Sequence, residues 1–239
     1  MMKNWISAVL VSGVFFVAGC QSNKSSTTPT QTSSSNNSNN PMKPSPEDIK
    51  FETSRDPPIK AQTRYAAGQL AESRDPPDYN RAIDQYWEAV KIDPKYKEAY
   101  YRLGVLYCKL EHYPDAVVAW KQYIKYTNGS ATGYSNLGFC YELANQHNEA
   151  EDAYRKGIAK DPKSNPCRVN YGLMLARDNR INEAMVQLQT VLTPAEVHYD
   201  LASIYEHDGR KEQARTEYRK ALDCDPSLAD AEVRLSALR

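Results

Sequence analysis

The sequence predicts an all-α protein, a solenoid of about five antiparallel helix pairs followed by one capping helix. Three observations support this fold class. The pattern Tyr-x2-Leu-Gly-x2-Tyr begins at Tyr100 and again at Tyr134, 34 residues later. Each unit places small and aromatic residues at the same helical spacing. Asp-Pro pairs begin at Asp93, Asp161 and Asp225, where they end the second helix of a unit because Pro cannot continue a helix.

The second half of the unit repeats with the same offset, since Trp120 aligns with Tyr154. Together the two halves resemble the tetratricopeptide repeat, whose signature is W-x2-L-G-x2-Y, then A-x3-F, then P. The resemblance implies that small residues such as Gly104 and Gly138 let the two helices of a hairpin approach closely. Aromatic residues then fill the space between hairpins. No hairpin buries its apolar face alone, so several must stack.

Five repeats are predicted, and some depart from the pattern. The first has a longer turn, whose residues 73–77 copy residues 54–58. The fourth is four residues short and is expected to close at Thr193-Pro194. A final helix over 229–239 repeats only the first half of a unit, so we expect it to cap the array. Within a domain spanning 47–239, the predicted repeats are 60–94, 97–130, 131–164, 165–194 and 195–228.

Residues 1–19 are predicted to be a signal peptide that is removed on export. Lys3 gives a positive start, and the apolar run that follows is too short to cross a bilayer comfortably. The run ends in Val-Ala-Gly before Cys20, which resembles the lipobox of bacterial lipoproteins. This resemblance implies that Cys20 is acylated and becomes the first residue of the mature protein. Gln21, in place of Asp, implies the periplasmic face of an outer membrane, and an uncleaved signal anchor is the alternative.

Residues 20–46 are predicted to be the lipidated Cys and a disordered linker. Of the 26 residues after Cys20, 23 are Ser, Thr, Asn, Gln or Pro. Such a segment buries too little apolar surface to offset its chain entropy. We therefore expect a tether that holds the helical domain away from the membrane, so that the membrane is contacted through the lipid alone.

The charge of the domain argues against two classes of partner. Three of the 30 basic residues precede residue 47, which leaves 27 basic against 30 acidic residues in the domain. A domain with a net charge of −3 is not expected to bind nucleic acid or an anionic membrane surface. We expect its partners to be proteins.

The four cysteines of the domain form no C-x-x-C pair and fit no zinc spacing. An oxidising compartment would permit disulfides, but small buried hydrophobic residues are the favoured interpretation, and the sequence leaves any pairing open. The cysteines are Cys108, Cys140, Cys167 and Cys224.

The sequence shows no catalytic arrangement. It contains no H-E-x-x-H, G-x-S-x-G or P-loop motif, and its four His residues are scattered. We therefore expect no enzyme activity, no cofactor, no metal and no small-molecule substrate. The alternative is an enzyme subunit, which would need a site built from Glu and His residues of the concave face.

The candidate site is that concave face, which the first helices of the repeats line. In several tetratricopeptide proteins the residue before the Leu-Gly pair is an Asn that binds both the N–H and the C=O of an extended peptide. The resemblance places Arg102, Asn136, Asn170 and Asp200 at this position in successive repeats. Neighbouring groove positions hold Tyr101, Lys109, Phe139, Arg177 and Tyr199. The alternative is a groove that is used otherwise or not at all.

The sequence thus predicts a lipid-anchored scaffold of the bacterial envelope that grips an extended peptide or a helix of a partner protein. Resemblance suggests specific instances, such as a pilotin-like or assembly factor for a pilus, a secretion system or an outer-membrane complex. A structural spacer without a specific partner is the remaining alternative. Nothing in the sequence selects among these.

Overall fold

The computed structural model describes residues 59–238, which form eleven α-helices in antiparallel pairs. The predicted all-α array of helix hairpins is confirmed. The predicted signal peptide, Cys20, the linker, residues 47–58 and Arg239 lie outside the described residues. The helices are α1 (Ala61–Glu72), α2 (Tyr79–Ile92), α3 (Lys97–Lys109), α4 (Tyr113–Tyr126), α5 (Ala131–Leu143), α6 (His147–Lys160), α7 (Asn165–Arg177), α8 (Ile181–Leu188), α9 (Pro194–His207), α10 (Lys211–Cys224) and α11 (Ala229–Ala237).

Odd-numbered helices are the first members of the hairpins and form the inner side of the array. Each packs extensively against the second helix that follows it, from α1 with α2 to α9 with α10. The first helices α5, α7 and α9 also contact one another in succession. Between residues 59 and 238, no two second helices are in comparably extensive contact. The first helices therefore line the concave face. No helix in this range is long and apolar enough to span a membrane.

Glycines set the spacing within the hairpins. A Cβ atom added at Gly104 would lie 2.5 Å from Cε2 of Trp120, and one added at Gly138 would lie 2.6 Å from Cε1 of Tyr154. Both aromatic side chains are buried. The ring of the second helix thus packs directly on the backbone of the first, which is the close contact that the repeat pattern predicts.

The Asp-Pro pairs end second helices as predicted. Asp93, Asp161 and Asp225 each follow the last residue of a helix and adopt extended backbone, with φ of −128°, −139° and −142°. A residue before Pro is excluded from the helical region, so the helix ends there.

Thr193-Pro194 differs from this expectation, because it begins a helix instead of closing one. Helix α8 already ends at Leu188, and Pro194 is the first residue of α9. Thr193 forms a capping box, in which the N–H of Glu196 donates to Thr193 Oγ1 at 3.3 Å and the N–H of Thr193 donates to Glu196 Oε2 at 2.8 Å. Pro is well tolerated at a first helical position because its missing N–H would have no helical partner there.

Helix α11 covers the exposed end of the last hairpin. Ala231 is fully buried, and Leu235 packs against the apolar cluster of α9 and α10. Asp230 and Glu232 are exposed in its first turn. The helix therefore presents an apolar face to the array and a charged face to water.

Candidate functional site

The concave face carries the four predicted row residues on α3, α5, α7 and α9. All four side chains are partly exposed, but their surroundings differ. Among residues 59–238, two of them have side-chain partners and two do not. The residues are Arg102, Asn136, Asn170 and Asp200.

Arg102 is engaged by an acid from the preceding hairpin. Its Nε donates to Glu72 Oε1 at 3.0 Å, and its Nη2 forms an ion pair with the same carboxylate. The hydroxyl of Tyr86 also donates to Glu72. Burial disfavours the charged guanidinium, but the hydrogen bond and charge of Glu72 outweigh it and raise the pKa of Arg102. Arg102 therefore stays charged, with its charge largely neutralised inside the protein.

The same arrangement recurs, and we call each instance a Tyr–Glu–Arg cluster. A Glu in the last turn of a first helix accepts the hydroxyl of a buried Tyr from the second helix of that hairpin. An Arg from the next first helix completes the cluster. The three clusters are Tyr86–Glu72–Arg102, Tyr154–Glu142–Arg177 and Tyr218–Glu206–Arg234.

Sequence reasoning missed these clusters, although a signal was present. Glu72, Glu142 and Glu206 each follow by four positions the small residue that faces the aromatic ring of the hairpin. Four residues is one turn of helix, so the carboxylate lies on the same face as the small residue. The predicted groove residue Arg177 is thus one member of an internal cluster.

Three other predicted groove residues also contact their own domain. The ring of Tyr101 stands edge-on to Trp120, with centroids 5.3 Å apart, so it packs in the core of the second hairpin. Lys109 lies over the ring of Tyr79 from the first hairpin, 4.4 Å from its centroid. Tyr199 stands edge-on to the Tyr218 ring at 5.6 Å. These side chains shape the groove wall more than they offer free groups to a ligand.

The two Asn side chains of the row differ in how many of their polar groups are paired. Asn170 Nδ2 donates to Ser135 Oγ at 3.1 Å, which joins α7 to α5. Within residues 59–238, Asn136 makes no side-chain hydrogen bond, although it is only partly exposed. Phe139, also partly buried, lies one turn further along α5. Asn136 thus offers an unpaired donor and an unpaired acceptor to the groove.

Asp200 is the second open group. Its carboxylate is partly shielded from water on α9, and no hydrogen-bond donor or cation of residues 59–238 reaches it. Burial, and secondarily the negative charge of Glu196, raise the pKa of Asp200 to about 7. A carboxylate in this state gains free energy from any cation or donor that a ligand brings.

Residues 59–238 hold no group of three or more His, Cys, Asp or Glu side chains placed to bind a metal ion. The closest approach of a His to an acid is that of His198 Nδ1 to Glu217 Oε2, at 2.7 Å. The other oxygen of Glu217 pairs with Lys220 Nζ at 2.8 Å, so this carboxylate holds two basic groups.

Comparison with protein families agrees with the helix hairpins. A family model described as TPR repeat matches residues 78–111, and models described as tetratricopeptide repeat match 98–126, 131–164 and 195–228. The chain is a tetratricopeptide repeat protein. Repeats of this kind are scaffolds for protein–protein interaction and are typically not catalytic, so its partners are proteins.

Curated relatives of this tetratricopeptide repeat protein are much longer than it is. Small glutamine-rich tetratricopeptide repeat-containing protein 2 of Mycosarcoma maydis is 27% identical over 121 residues, 51% of this chain and 31% of that protein. Hsp70-Hsp90 organizing protein 2 of Arabidopsis thaliana is 29% identical over 118 residues, 49% of this chain and 20% of that protein. The chain thus spans less than a third of the length of either relative.

Solved structures share the fold at low identity. YrrB, described as a TPR protein with an unusual peptide-binding site, aligns at TM-score 0.52 and 22% identity, covering 73% of this chain and 91% of that one. A MamA structure aligns at TM-score 0.57 and 21% identity, covering 71% and 94%. PilW, described as a widely conserved type IV pilus biogenesis factor, aligns at 0.54 and 21%, covering 72% and 80%. These similarities establish the tetratricopeptide fold alone.

Proposed function

We propose that this chain is a lipid-anchored scaffold of the bacterial envelope that holds an extended peptide of a partner protein in its concave groove. The observation that supports the groove is the pair of open polar groups, Asn136 and Asp200, on the inner helices α5 and α9. Both groups are partly exposed and have no side-chain partner among residues 59–238, so a bound peptide would add hydrogen bonds worth about 0.5–1.5 kcal/mol each.

The row gives the bound peptide a direction. Asn136 would pair with a backbone N–H and C=O, and Asn170, one repeat further on, would add the acceptor that its bond to Ser135 leaves free. Asp200 would then receive a Lys or Arg side chain. Glu72 already neutralises Arg102, so Asp200 is the row residue that would select a charged side chain of the peptide.

The anchor part of the proposal rests on sequence. The Val-Ala-Gly-Cys ending at Cys20 and the polar linker after it are typical of a lipoprotein tether. Assembly of a pilus is one process that such a scaffold could serve, since the pilus biogenesis factor PilW has the same fold.

The test is selection of peptides from a random display library on the full chain, followed by titration. The groove variants are the double variant Asn136→Ala/Asn170→Ala and the single variant Asp200→Asn. The matched control is Val186→Ser on the second helix α8, where the side chain is 63% exposed. The double variant is expected to weaken binding about 5- to 150-fold, from two lost hydrogen bonds.

Asp200→Asn is expected to lower the affinity only for peptides that contain Lys or Arg. Val186→Ser should bind peptides with wild-type affinity. Circular dichroism verifies that all variants keep their helix content. Unchanged affinity in both groove variants, with full helix content, would place the binding surface elsewhere and overturn the proposal.

A further inference from the structure

Two cysteines of successive first helices lie against each other. Cys108 near the end of α3 and Cys140 on α5 are 32 residues apart in sequence, and their Sγ atoms are 3.1 Å apart. The other two described cysteines have different surroundings. Cys167 Sγ donates to the carbonyl of Ala131 at 3.1 Å, and Cys224 is exposed at the end of α10.

The two thiols of the pair are not equivalent. Cys108 is partly exposed, whereas Cys140 is fully buried. The hydrogen bond that the two thiols share lowers the pKa of Cys108. The hydrogen bond to Cys108, together with burial, raises the pKa of Cys140. The accessible sulfur is therefore also the one that more readily becomes a thiolate, which is the reactive form.

We propose that Cys108 and Cys140 form a disulfide when the chain meets a thiol–disulfide oxidant, such as glutathione disulfide or the disulfide of an exchange-active protein. The Cys108 thiolate attacks one sulfur of the oxidant, forms a mixed disulfide and releases the first thiolate. The deprotonated Cys140 then attacks Cys108 Sγ and expels the second thiolate. Two electrons pass from the cysteines to the oxidant, and both protons leave on the two released thiols.

The bond would join two hairpins at the wall of the groove. It links α3 to α5, and Cys140 lies one helical turn from Asn136. Closing a loop of this length restricts the unfolded chain and stabilises the folded one. The disulfide would therefore hold the second repeat against the third, beside an open polar group of the groove.

The test uses the full chain, incubated with glutathione disulfide, then alkylated and digested with trypsin without reduction. Cleavage after Arg102, Lys109, Lys125 and Arg155 releases Cys108 in peptide 103–109 and Cys140 in peptide 126–155. We expect these two peptides to be joined, to separate on reduction, and the melting temperature to rise by about 5–15 °C on oxidation.

Cys108→Ser should abolish both the joined peptide and the rise in melting temperature, while the control Cys224→Ser should keep both. Mass spectrometry of the wild type decides the question even where a variant fails to fold. Alkylation of both cysteines after oxidation would overturn the proposal. So would a stable glutathione adduct on Cys108, or a bond from Cys108 to any cysteine other than Cys140.

Discussion

The hydroxyl of Tyr154 donates to the carboxylate of Glu142, whose other oxygen pairs with Arg177. Tyr154 is fully buried, and the Glu142 side chain is only 9% exposed. Burial and the negative charge of Glu142 raise the pKa of Tyr154, so the hydroxyl stays protonated and remains a donor. The carboxylate thus links the two helices of the third hairpin to each other and also links this hairpin to the fourth.

Replacing Glu142 with Ala is expected to destabilise the domain by about 2–4 kcal/mol, because it removes the acceptor of the buried Tyr154 hydroxyl and breaks the ion pair with Arg177. Urea unfolding measures the loss. The control is Glu149→Ala on the neighbouring helix α6, where the side chain is exposed and the expected change is below about 0.5 kcal/mol. Equal losses in the two variants would contradict the assigned role of Glu142.

Gly138→Leu is expected to lower the free energy of unfolding by about 1–3 kcal/mol, because even a Cβ atom would lie 2.6 Å from the Tyr154 ring. The fifth hairpin offers a natural comparison, since Ala202 takes the equivalent position beside Tyr218. The free energy of unfolding should therefore fall less in Gly138→Ala than in Gly138→Leu. Thermal unfolding compares the two, and a stability of Gly138→Leu equal to wild type would argue against close packing there.

Asp200 makes stability depend on pH. Its pKa of about 7 in the folded state exceeds its ordinary value of 3.8, so the unfolded chain ionises first. Stability is therefore expected to fall as pH rises from about 4 to about 7 and then to level off. Asp200→Asn should remove this fall and be more stable than wild type by about 1–3 kcal/mol at pH 8. Parallel stability curves of the two proteins from pH 5 to 8 would refute this assignment.

Cys20→Ser is expected to abolish acylation and leave the unprocessed precursor, because the thiol is the proposed site of lipid attachment. Cells labelled with a radioactive fatty acid and fractionated provide the measurement. Cys224→Ser is the control and should be labelled as wild type. Label retained on the Cys20→Ser protein would exclude the proposed anchor.

The sequence predicted the close packing within each hairpin and missed the side-chain pairs that join successive hairpins. The close approach of Gly138 to Tyr154 follows from a local pattern that recurs at a fixed period, so one chain suffices to infer it. The ion pair of Glu72 with Arg102 depends on which side chains meet across stacked hairpins, 30 residues apart. Periodicity gives the face on which a residue lies but not the partner that reaches it.

The predicted groove residues show the same limit of inference from sequence. The position in the repeat predicted Asn136 and Asp200 as groove residues. It predicted Arg102 and Arg177 in the same way, although both are already paired within the domain. Only the packed structure distinguishes a side chain that is free to bind from one that is already paired. At Thr193, local capping chemistry decided the outcome, because a capping box and a first-turn Pro start a helix more effectively than they end one.

The Tyr–Glu–Arg clusters also group the hairpins of the solenoid into blocks. Their ion pairs cross from the first hairpin to the second, from the third to the fourth, and from the fifth to the cap. The second and third hairpins meet instead through apolar packing and the thiols of Cys108 and Cys140, and the fourth and fifth through apolar packing and a hydrogen bond from Arg210 Nη1 to Asn179 Oδ1. Within residues 59–238, the clusters thus divide the domain into three blocks, with two junctions that no such cluster crosses. Asn136 and Asp200 lie on the helices that begin the second and third blocks, so a partner that bridges them would span the junction between these two blocks.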